Sequence, residues 1–180
     1  EAQIAAVLGH EIAHYIRRHS IQRFQDQVAR NDALTVLSLG LMFSGLPGEI
    51  GQMASYLSAA SQMAFGRDHE READHIGISL LNRYGYDAHQ ASKVWGQLIR
   101  EEEASGKPSG GSFFFSSHPA SEEREATLKE IATKLQGDET SYTKGKDRYL
   151  EVLTPWRKLF LRDEINQGNF KTSLTLMEML

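Results

Sequence analysis

The sequence predicts a mainly α-helical fold, with little or no β structure and a helical pair at the C-terminus. Apolar residues recur at three- and four-residue spacing in the helical stretches, which is the pattern of a helix with one buried face. Proline is absent until Pro47, so nothing interrupts the first of these stretches. No segment carries a convincing alternation of apolar and polar residues, the signal of a half-buried strand.

The composition limits the class of protein. The chain has 180 residues, the size of one domain or of one domain with an appendage. It has no cysteine, which excludes a disulfide framework, a thiolate metal site and a cysteine nucleophile. With 20 basic and 24 acidic residues the net charge is −4, which argues against a nucleic-acid partner bound through bulk charge. Seven histidines in a chain without cysteine are the unusual feature.

The first predicted helix covers residues 1–30, and a nearly uncharged stretch follows it at 33–66. The apolar run at 33–46 is shorter than the ~20 residues that a membrane-spanning helix needs. Pro47-Gly48 then ends the helix. Two interpretations of residues 33–66 stay open. They form either a buried helix followed by a turn and a helix from about 50 to 65, or a hairpin that contacts a membrane surface or an outer-membrane protein.

The remaining predicted elements are helices separated by turns, and Asp87 is a suitable N-cap for one of them. The first two are a helix from Arg67 to about Arg83 and a helix that starts near Asp87 or Ala88. A loop at 105–117, a helix at 121–136, a break at Gly137-Asp138 and an exposed segment at 138–147 follow. The chain ends in a helical pair, in which Pro155 opens the first helix and Gly168-Asn169 forms the turn.

The segment His10-Glu11-Ile12-Ala13-His14 carries the clearest chemical signal. Residues four apart lie one above the other on a helix, so His10 and His14 can share one metal ion. Glu11 lies about 100° further round the helix, where a general base for a metal-activated water belongs. The preceding residues are small or apolar, and burying two unpaired imidazoles without a metal would be costly. Two ordinary surface histidines are the alternative interpretation.

A second motif, from Arg67 to Gly77, supplies the third protein ligand that a catalytic zinc site needs. Glu70 can offer a carboxylate oxygen to zinc, and Asp74, four residues on, can accept the free N–H of a ligand histidine. Small residues at Ala73 and Gly77 let this helix approach the first one closely. A charged, solvated helix face is the alternative. The other histidines here are interpreted as surface residues: His19, His69, His75 and His89.

These motifs together resemble the gluzincin metallopeptidases, and in detail the HtpX and CAAX-prenyl-protease family (family M forty-eight in peptidase nomenclature). The matching residues are His10-Glu-x-x-His14, Arg67-Asp-x-Glu-x-Glu-Ala-Asp-x-x-Gly77 and His118-Pro-x-x-x-x-Arg124. The likeness covers roughly residues 1–135 and is closest to soluble bacterial periplasmic members. It implies one zinc ion held by His10, His14 and Glu70. It also implies that Glu11 is the catalytic base and that Asp74 supports a ligand histidine.

His118 and Arg124 have more than one interpretation. Pro119 fixes the chain just before a helix, directly after His118. His118 either donates a hydrogen bond to the developing oxyanion, binds zinc as a fourth ligand that keeps an enzyme latent, or merely ends a loop. Arg124 either stabilises charge in the site or pairs with Asp74 or another buried carboxylate.

The resemblance implies a zinc-dependent endopeptidase that acts on protein or peptide substrates in envelope quality control. It also implies a location in the periplasm or peripheral to a bacterial membrane. A latent protease that serves mainly as a chaperone-like or binding module is the alternative, because the Gly/Ser–Phe loop at 106–118 can cover the cleft. An intramembrane protease is a weaker third hypothesis, since it requires a segment that spans lipid.

We predict two parts, a peptidase core at 1–137 and a C-terminal helical extension at 138–180. The spacing of glycine and apolar residues within 161–174 weakly resembles the first half of a tetratricopeptide-type repeat, although a simple helical cap fits equally. The first residues have the pattern of mid-helix, and the last five stop inside an amphipathic helix. We therefore expect a piece of a longer protein, whose core lacks the strand that the family places upstream.

Overall fold

The computed structural model describes residues 1–45, 47–106, 118, 121–137 and 141–179. Most of the loop predicted at 105–117 lies outside the described residues, as do Pro119 and Asp138. The helices are α1 Ala2–Arg17, α2 His19–Ser44, α3 Glu49–Arg83, α4 His89–Ser105, α5 Glu122–Gln136, α6 Lys146–Leu153, α7 Arg157–Asn166 and α8 Phe170–Met179. In these ranges the β pairing is confined to an isolated bridge between Tyr86 and Thr143, which confirms the mainly α prediction.

Several predicted helix boundaries were wrong. The helix predicted over residues 1–30 breaks at Arg18, whose φ of 57° and ψ of 37° lie in the left-handed region. The helices predicted on either side of Gly66 are one helix, α3, because a single glycine costs a helix only about 1 kcal/mol and does not end it. α6 was not predicted. Pro155 lies at the start of the 3₁₀ helix Thr154–Trp156, which leads directly into α7.

Other helix ends follow the sequence. The helix predicted at 121–136 is α5, and the Ser121 side chain accepts a hydrogen bond from the backbone N–H of Arg124 at 3.2 Å, as an N-cap does. Asp87 Oδ1 likewise accepts from the backbone N–H of His89 at 3.0 Å and holds the start of α4. Gly168, with a φ of 74°, makes the predicted turn before α8.

The chain forms two compact units, one of residues 1–10 and 74–180 and the other of residues 11–73. The division falls after His10, within α1, and before Asp74, within α3. The predicted boundary between residues 137 and 138 stays a prediction.

The unit of residues 1–10 and 74–180 contains the apolar core. Helix α4 packs against α5 on one side and against α8 on another. The buried core residues are Ala6, Ile78, Leu81, Ala88, Ala91, Trp95, Leu128 and Ala132. The start of α1 and the end of α3 are thereby fixed in one hydrophobic cluster.

Gly9 and Gly77 are the point of closest approach between α1 and α3 in this unit. A Cβ atom added to Gly77 would lie 2.9 Å from the backbone nitrogen of His10, closer than van der Waals contact allows. A Cβ on Gly9 would lie 3.2 Å from the carbonyl oxygen of Gly77. The expectation that Gly77 lets the two helices approach is thus met, and the approach occurs at His10 itself.

Gly77→Ala is therefore expected to destabilise the protein by about 1–3 kcal/mol, because the obstructing atoms are backbone and cannot rotate away. Gly66→Ala on the same helix is the matched control. A Cβ there has no neighbour within 4 Å, so the gain in helix propensity should stabilise by about 0.5–1 kcal/mol. Urea unfolding of both variants measures the difference, and equal effects of the two substitutions would contradict the close approach.

In the unit of residues 11–73, α2 precedes the turn at Pro47-Gly48 and the first part of α3 follows it. The interpretation of residues 33–46 as a buried helix was wrong. Val36, Met42 and Phe43 are 70%, 77% and 84% exposed, so this part of α2 does not bury its apolar side chains. A contact of this hairpin with a membrane surface or a protein stays a prediction. Within the described residues, no helix is both long and apolar enough to cross a bilayer.

Candidate metal centre

Two helices supply the predicted zinc residues on successive turns. α1 carries His10 and His14, and α3 carries Glu70 and Asp74. His10, Glu70 and Asp74 are only 2–5% exposed. Groups that are titratable and this deeply buried need polar partners or a metal.

His10 lies between two polar partners in its unit. Its Nδ1 is 2.9 Å from Asp74 Oδ1, and its Nε2 is 3.4 Å from Nδ1 of His118. The ring of Trp95 meets His10 edge-on, with 5.4 Å between centroids. A carboxylate beside Nδ1 favours the tautomer with the proton on that nitrogen, which leaves the Nε2 lone pair for a metal.

Asp74 is held by Arg124 in a bidentate ion pair. Nε of Arg124 donates to Oδ2 at 2.7 Å and an Nη2 hydrogen to Oδ1 at 2.8 Å, while Trp95 Nε1 donates to Oδ1 at 3.4 Å. Burial by itself would raise the Asp74 pKa, but the hydrogen bonds from Arg124 and His10 outweigh burial and hold the pKa below its ordinary value. Of the interpretations of Arg124, the geometry favours the pair with Asp74.

His14 has an equivalent pair of partners in the other unit. Its Nε2 is 3.4 Å from Glu70 Oε1, and its Nδ1 is 2.8 Å from Nδ1 of His19. His19 Nε2 in turn lies 3.0 Å from Glu72 Oε2. His14 therefore has a ligand-type neighbour on one ring nitrogen and a supporting imidazole on the other.

The interpretation of His19 and His69 as surface residues was wrong, since they are 1% and 4% exposed. The left-handed turn at Arg18 starts α2 in a new direction, and His19 then lies against His14. His89 is also partly buried, with Nε2 2.9 Å from the carbonyl oxygen of Gly137. His75 is exposed, as predicted.

Four residues offer nitrogen and oxygen atoms that could together hold one metal ion. Ligand atoms of four residues all lie within 4.8 Å of one another: His10, His14, Glu70 and His118. The contacts His10–His118 and His14–Glu70 are each 3.4 Å. A tetrahedron with metal–ligand bonds of about 2.0–2.1 Å has edges of about 3.4 Å, so the spacing and the imidazole and carboxylate donors both suit zinc.

Glu11, the predicted base, lies on α1 between the two histidines and is partly exposed. His118 is one of the four residues whose atoms lie within 4.8 Å of one another. This position is compatible with a fourth ligand, one of the roles that the sequence left open. Sequence reasoning missed Trp95 and His19. No sequence motif includes Trp95. His19 is visible five residues after His14, but it contacts His14 only because the helix breaks at Arg18.

The chain is similar to proteins of known class. Its residues 1–132 match the model of Peptidase family M48. The beta-barrel assembly-enhancing protease of Escherichia coli O157:H7 is 30% identical over 185 aligned positions, covering 95% of this chain and 37% of that protein. The mitochondrial metalloendopeptidase OMA1 of Schizosaccharomyces pombe is 30% identical over 137 positions, covering 76% of this chain and 38% of the relative.

The chain thus spans less than two fifths of the length of these curated relatives. No solved structure matches it. The family match covers every residue of the candidate centre, from His10 to Arg124. This chain belongs to Peptidase family M48.

Proposed function

We propose that this chain is the peptidase core of a zinc-dependent endopeptidase, with Zn²⁺ held by His10, His14 and Glu70. One observation carries the proposal. Two imidazoles and a carboxylate, carried by two helices and all largely buried, offer nitrogen and oxygen atoms within 4.8 Å of one another. The donor set is that of a catalytic zinc site with three protein ligands and room for a fourth.

The side chains divide the chemistry among themselves. When bound, zinc supplies Lewis-acid polarisation of the scissile carbonyl and lowers the pKa of a water at the site. Glu11 takes a proton from the attacking water and passes it to the leaving amine. An N–H of His118 donates to the oxyanion as the carbonyl carbon becomes tetrahedral. Asp74, anchored by Arg124, holds His10 in the tautomer that presents Nε2.

Protein substrates of the bacterial envelope are the proposed substrate class, in the periplasm or at a membrane surface. The name of one relative, a beta-barrel assembly-enhancing protease of a bacterium, supports this, and the name of another, a mitochondrial metalloendopeptidase, supports cleavage of proteins or peptides. A role in envelope protein quality control is part of the proposal, and the first of these names supports it. A nucleic-acid partner is not proposed, because the net charge is −4.

A latent form of the same enzyme is a second candidate, and the position of His118 favours it. Its Nδ1 is 3.4 Å from the ligand nitrogen of His10, close enough to share the metal. An imidazole in the fourth position would exclude the attacking water and keep the site closed. The chain would then act mainly as a binding or chaperone-like module until His118 moves away.

Metal removal and one variant test both candidates. We expect the chain to bind one Zn²⁺, to cleave an unfolded protein such as casein, to lose that activity with a chelator and to regain it with Zn²⁺. The exposed-histidine variant His75→Ala serves as control and should behave as wild type. Activity that survives full metal removal would contradict the zinc centre. If cleavage appears only in His118→Ala, the latent form is supported, whereas loss of cleavage in that variant supports the oxyanion role.

A further inference from the structure

His19 and His14 face each other through their Nδ1 atoms at 2.8 Å. A neutral imidazole has one N–H donor and one acceptor nitrogen, so one of these two Nδ1 atoms must donate and the other must accept. The two assignments differ in consequence for His14. If its Nδ1 donates, Nε2 carries a lone pair; if its Nδ1 accepts, Nε2 carries the proton and cannot bind a metal.

Glu72 decides between the two assignments. Its Oε2 lies 3.0 Å from Nε2 of His19, and its Oε1 pairs with Arg17. A carboxylate in such an ion pair with a guanidinium accepts hydrogen bonds and does not donate them. His19 Nε2 is then the donor, and the Nδ1 of neutral His19 is the acceptor.

The surroundings hold the His19 ring in this orientation. Residues five apart on one helix lie about 140° apart around its axis, so an unbroken helix would turn His19 away from His14. The left-handed conformation of Arg18, with φ 57°, removes that obstacle. His69 stacks on the His19 ring at 4.1 Å and 6°, and its own Nε2 lies 3.1 Å from Gln22 Oε1. With His19 only 1% exposed, bulk water has little access to the contact.

We infer that His19 is a positioning residue, which accepts the Nδ1 hydrogen of His14 and so keeps the His14 Nε2 lone pair directed at the metal. Glu72 acts behind it as the final acceptor. For His10, the Asp74 carboxylate accepts the Nδ1 hydrogen directly. Each proposed ligand histidine is thus supported by a carboxylate, His10 by direct contact with Asp74 and His14 through the imidazole of His19. The inference rests on the proposed zinc centre and adds a supporting residue to it.

The tautomer of His19 tests the inference without any variant. In Zn²⁺-loaded wild-type protein at a pH of about 8, where unperturbed imidazoles are neutral, long-range ¹H–¹⁵N NMR distinguishes the two ring tautomers. We expect His19 to carry its proton on Nε2 and to leave Nδ1 as the acceptor facing His14. A His19 ring protonated on Nδ1 would overturn the inference.

Zinc affinity, measured by competition with a chromophoric chelator and Zn²⁺ alone, gives a second readout. His19→Phe keeps a flat ring on His69 but offers no acceptor, and we expect Zn²⁺ to bind about 10–100-fold more weakly. His19→Asn returns an acceptor oxygen near the Nδ1 position and should recover most of the affinity. Glu72→Gln, at the more exposed end of the chain of contacts, should give a smaller loss.

The matched control is His75→Phe, which makes the same substitution at an exposed histidine and should leave zinc affinity unchanged. A folded His19→Phe variant with wild-type affinity would overturn the positioning role alone. Should His19→Phe fail to fold, the response of Glu72→Gln and the wild-type tautomer decide the matter. A wild-type chain that does not bind Zn²⁺ contradicts the metal centre itself, so the two failures are distinguishable.

Discussion

Glu11→Gln is expected to abolish peptide hydrolysis while leaving zinc binding intact. Glutamine has nearly the shape of glutamate but cannot take a proton from water, and general-base catalysis alone is worth about 10²–10⁴-fold in rate. Glu11 is not among the grouped ligand residues, so the metal should remain. The two quantities to measure are kcat/KM for a peptide substrate and the zinc content of the purified variant.

The control for this substitution is Glu130→Gln, which makes the same change at an exposed residue of α5 and should retain wild-type activity. Two results would be informative against the assignment. A Glu11→Gln variant that cleaves at the wild-type rate removes Glu11 from the chemistry. A variant that has lost its zinc shows that Glu11 acts on the metal site rather than on a proton.

Arg124→Met is expected to destabilise the fold by about 3–5 kcal/mol. The substitution leaves the Asp74 carboxylate, which is 5% exposed, without its bidentate partner, and an uncompensated buried charge costs that much. Methionine keeps much of the volume over Trp95, so lost packing contributes little. The free energy of unfolding in urea measures the effect.

Two further variants isolate the cause. The double variant Asp74→Asn with Arg124→Met removes both charges and should be more stable than Arg124→Met alone. Arg71→Met breaks an exposed pair with Asp68 and should cost less than about 1 kcal/mol. Equal losses for Arg124→Met and Arg71→Met would contradict the buried ion pair.

The pH dependence of this loss follows from the lowered pKa of Asp74. A carboxylate whose folded pKa lies below its unfolded value stabilises the fold above the unfolded pKa, and that contribution is lost as the pH falls through the folded pKa. We therefore expect the difference in unfolding free energy between wild type and Arg124→Met to be largest near neutral pH. It should shrink as the pH falls below the ordinary range of carboxyl groups and the Asp74 carboxyl takes up its proton.

The fold could be predicted as far as local signals reach. Apolar periodicity, the Ser121 cap and the turns at Pro47-Gly48 and Gly168 each act within a few residues, and the helices they imply are present. The break at Arg18 could not be predicted in this way. Arginine has no preference for the left-handed region, so no local signal in the sequence marks this break.

In the candidate site, too, the features set by local spacing could be predicted, and the contacts between distant residues could not. Spacing of four residues is fixed by helix geometry, which is why the sequence places His10 and His14 on one helix face and Glu70 and Asp74 on another. The proposed ligand set of His10, His14 and Glu70 came from the family resemblance of these motifs. The partners of Arg124 and His19 lie 50 and 53 residues away along the chain, at Asp74 and Glu72. No periodicity connects residues so distant, because their contact depends on how helices pack.

By itself, the sequence determined the mainly helical class and named the candidates: the side chains that offer nitrogen and oxygen atoms to a metal, and the glutamate proposed as base. The tertiary structure alone decided the supporting residues. His19 and His69, which were expected at the surface, are buried and stack on each other. Arg124 forms an ion pair with Asp74. The physical reason is that ligand spacing along a helix is a local property, whereas the hydrogen-bond partner of a buried group is set by whichever distant residue packing brings within about 3 Å.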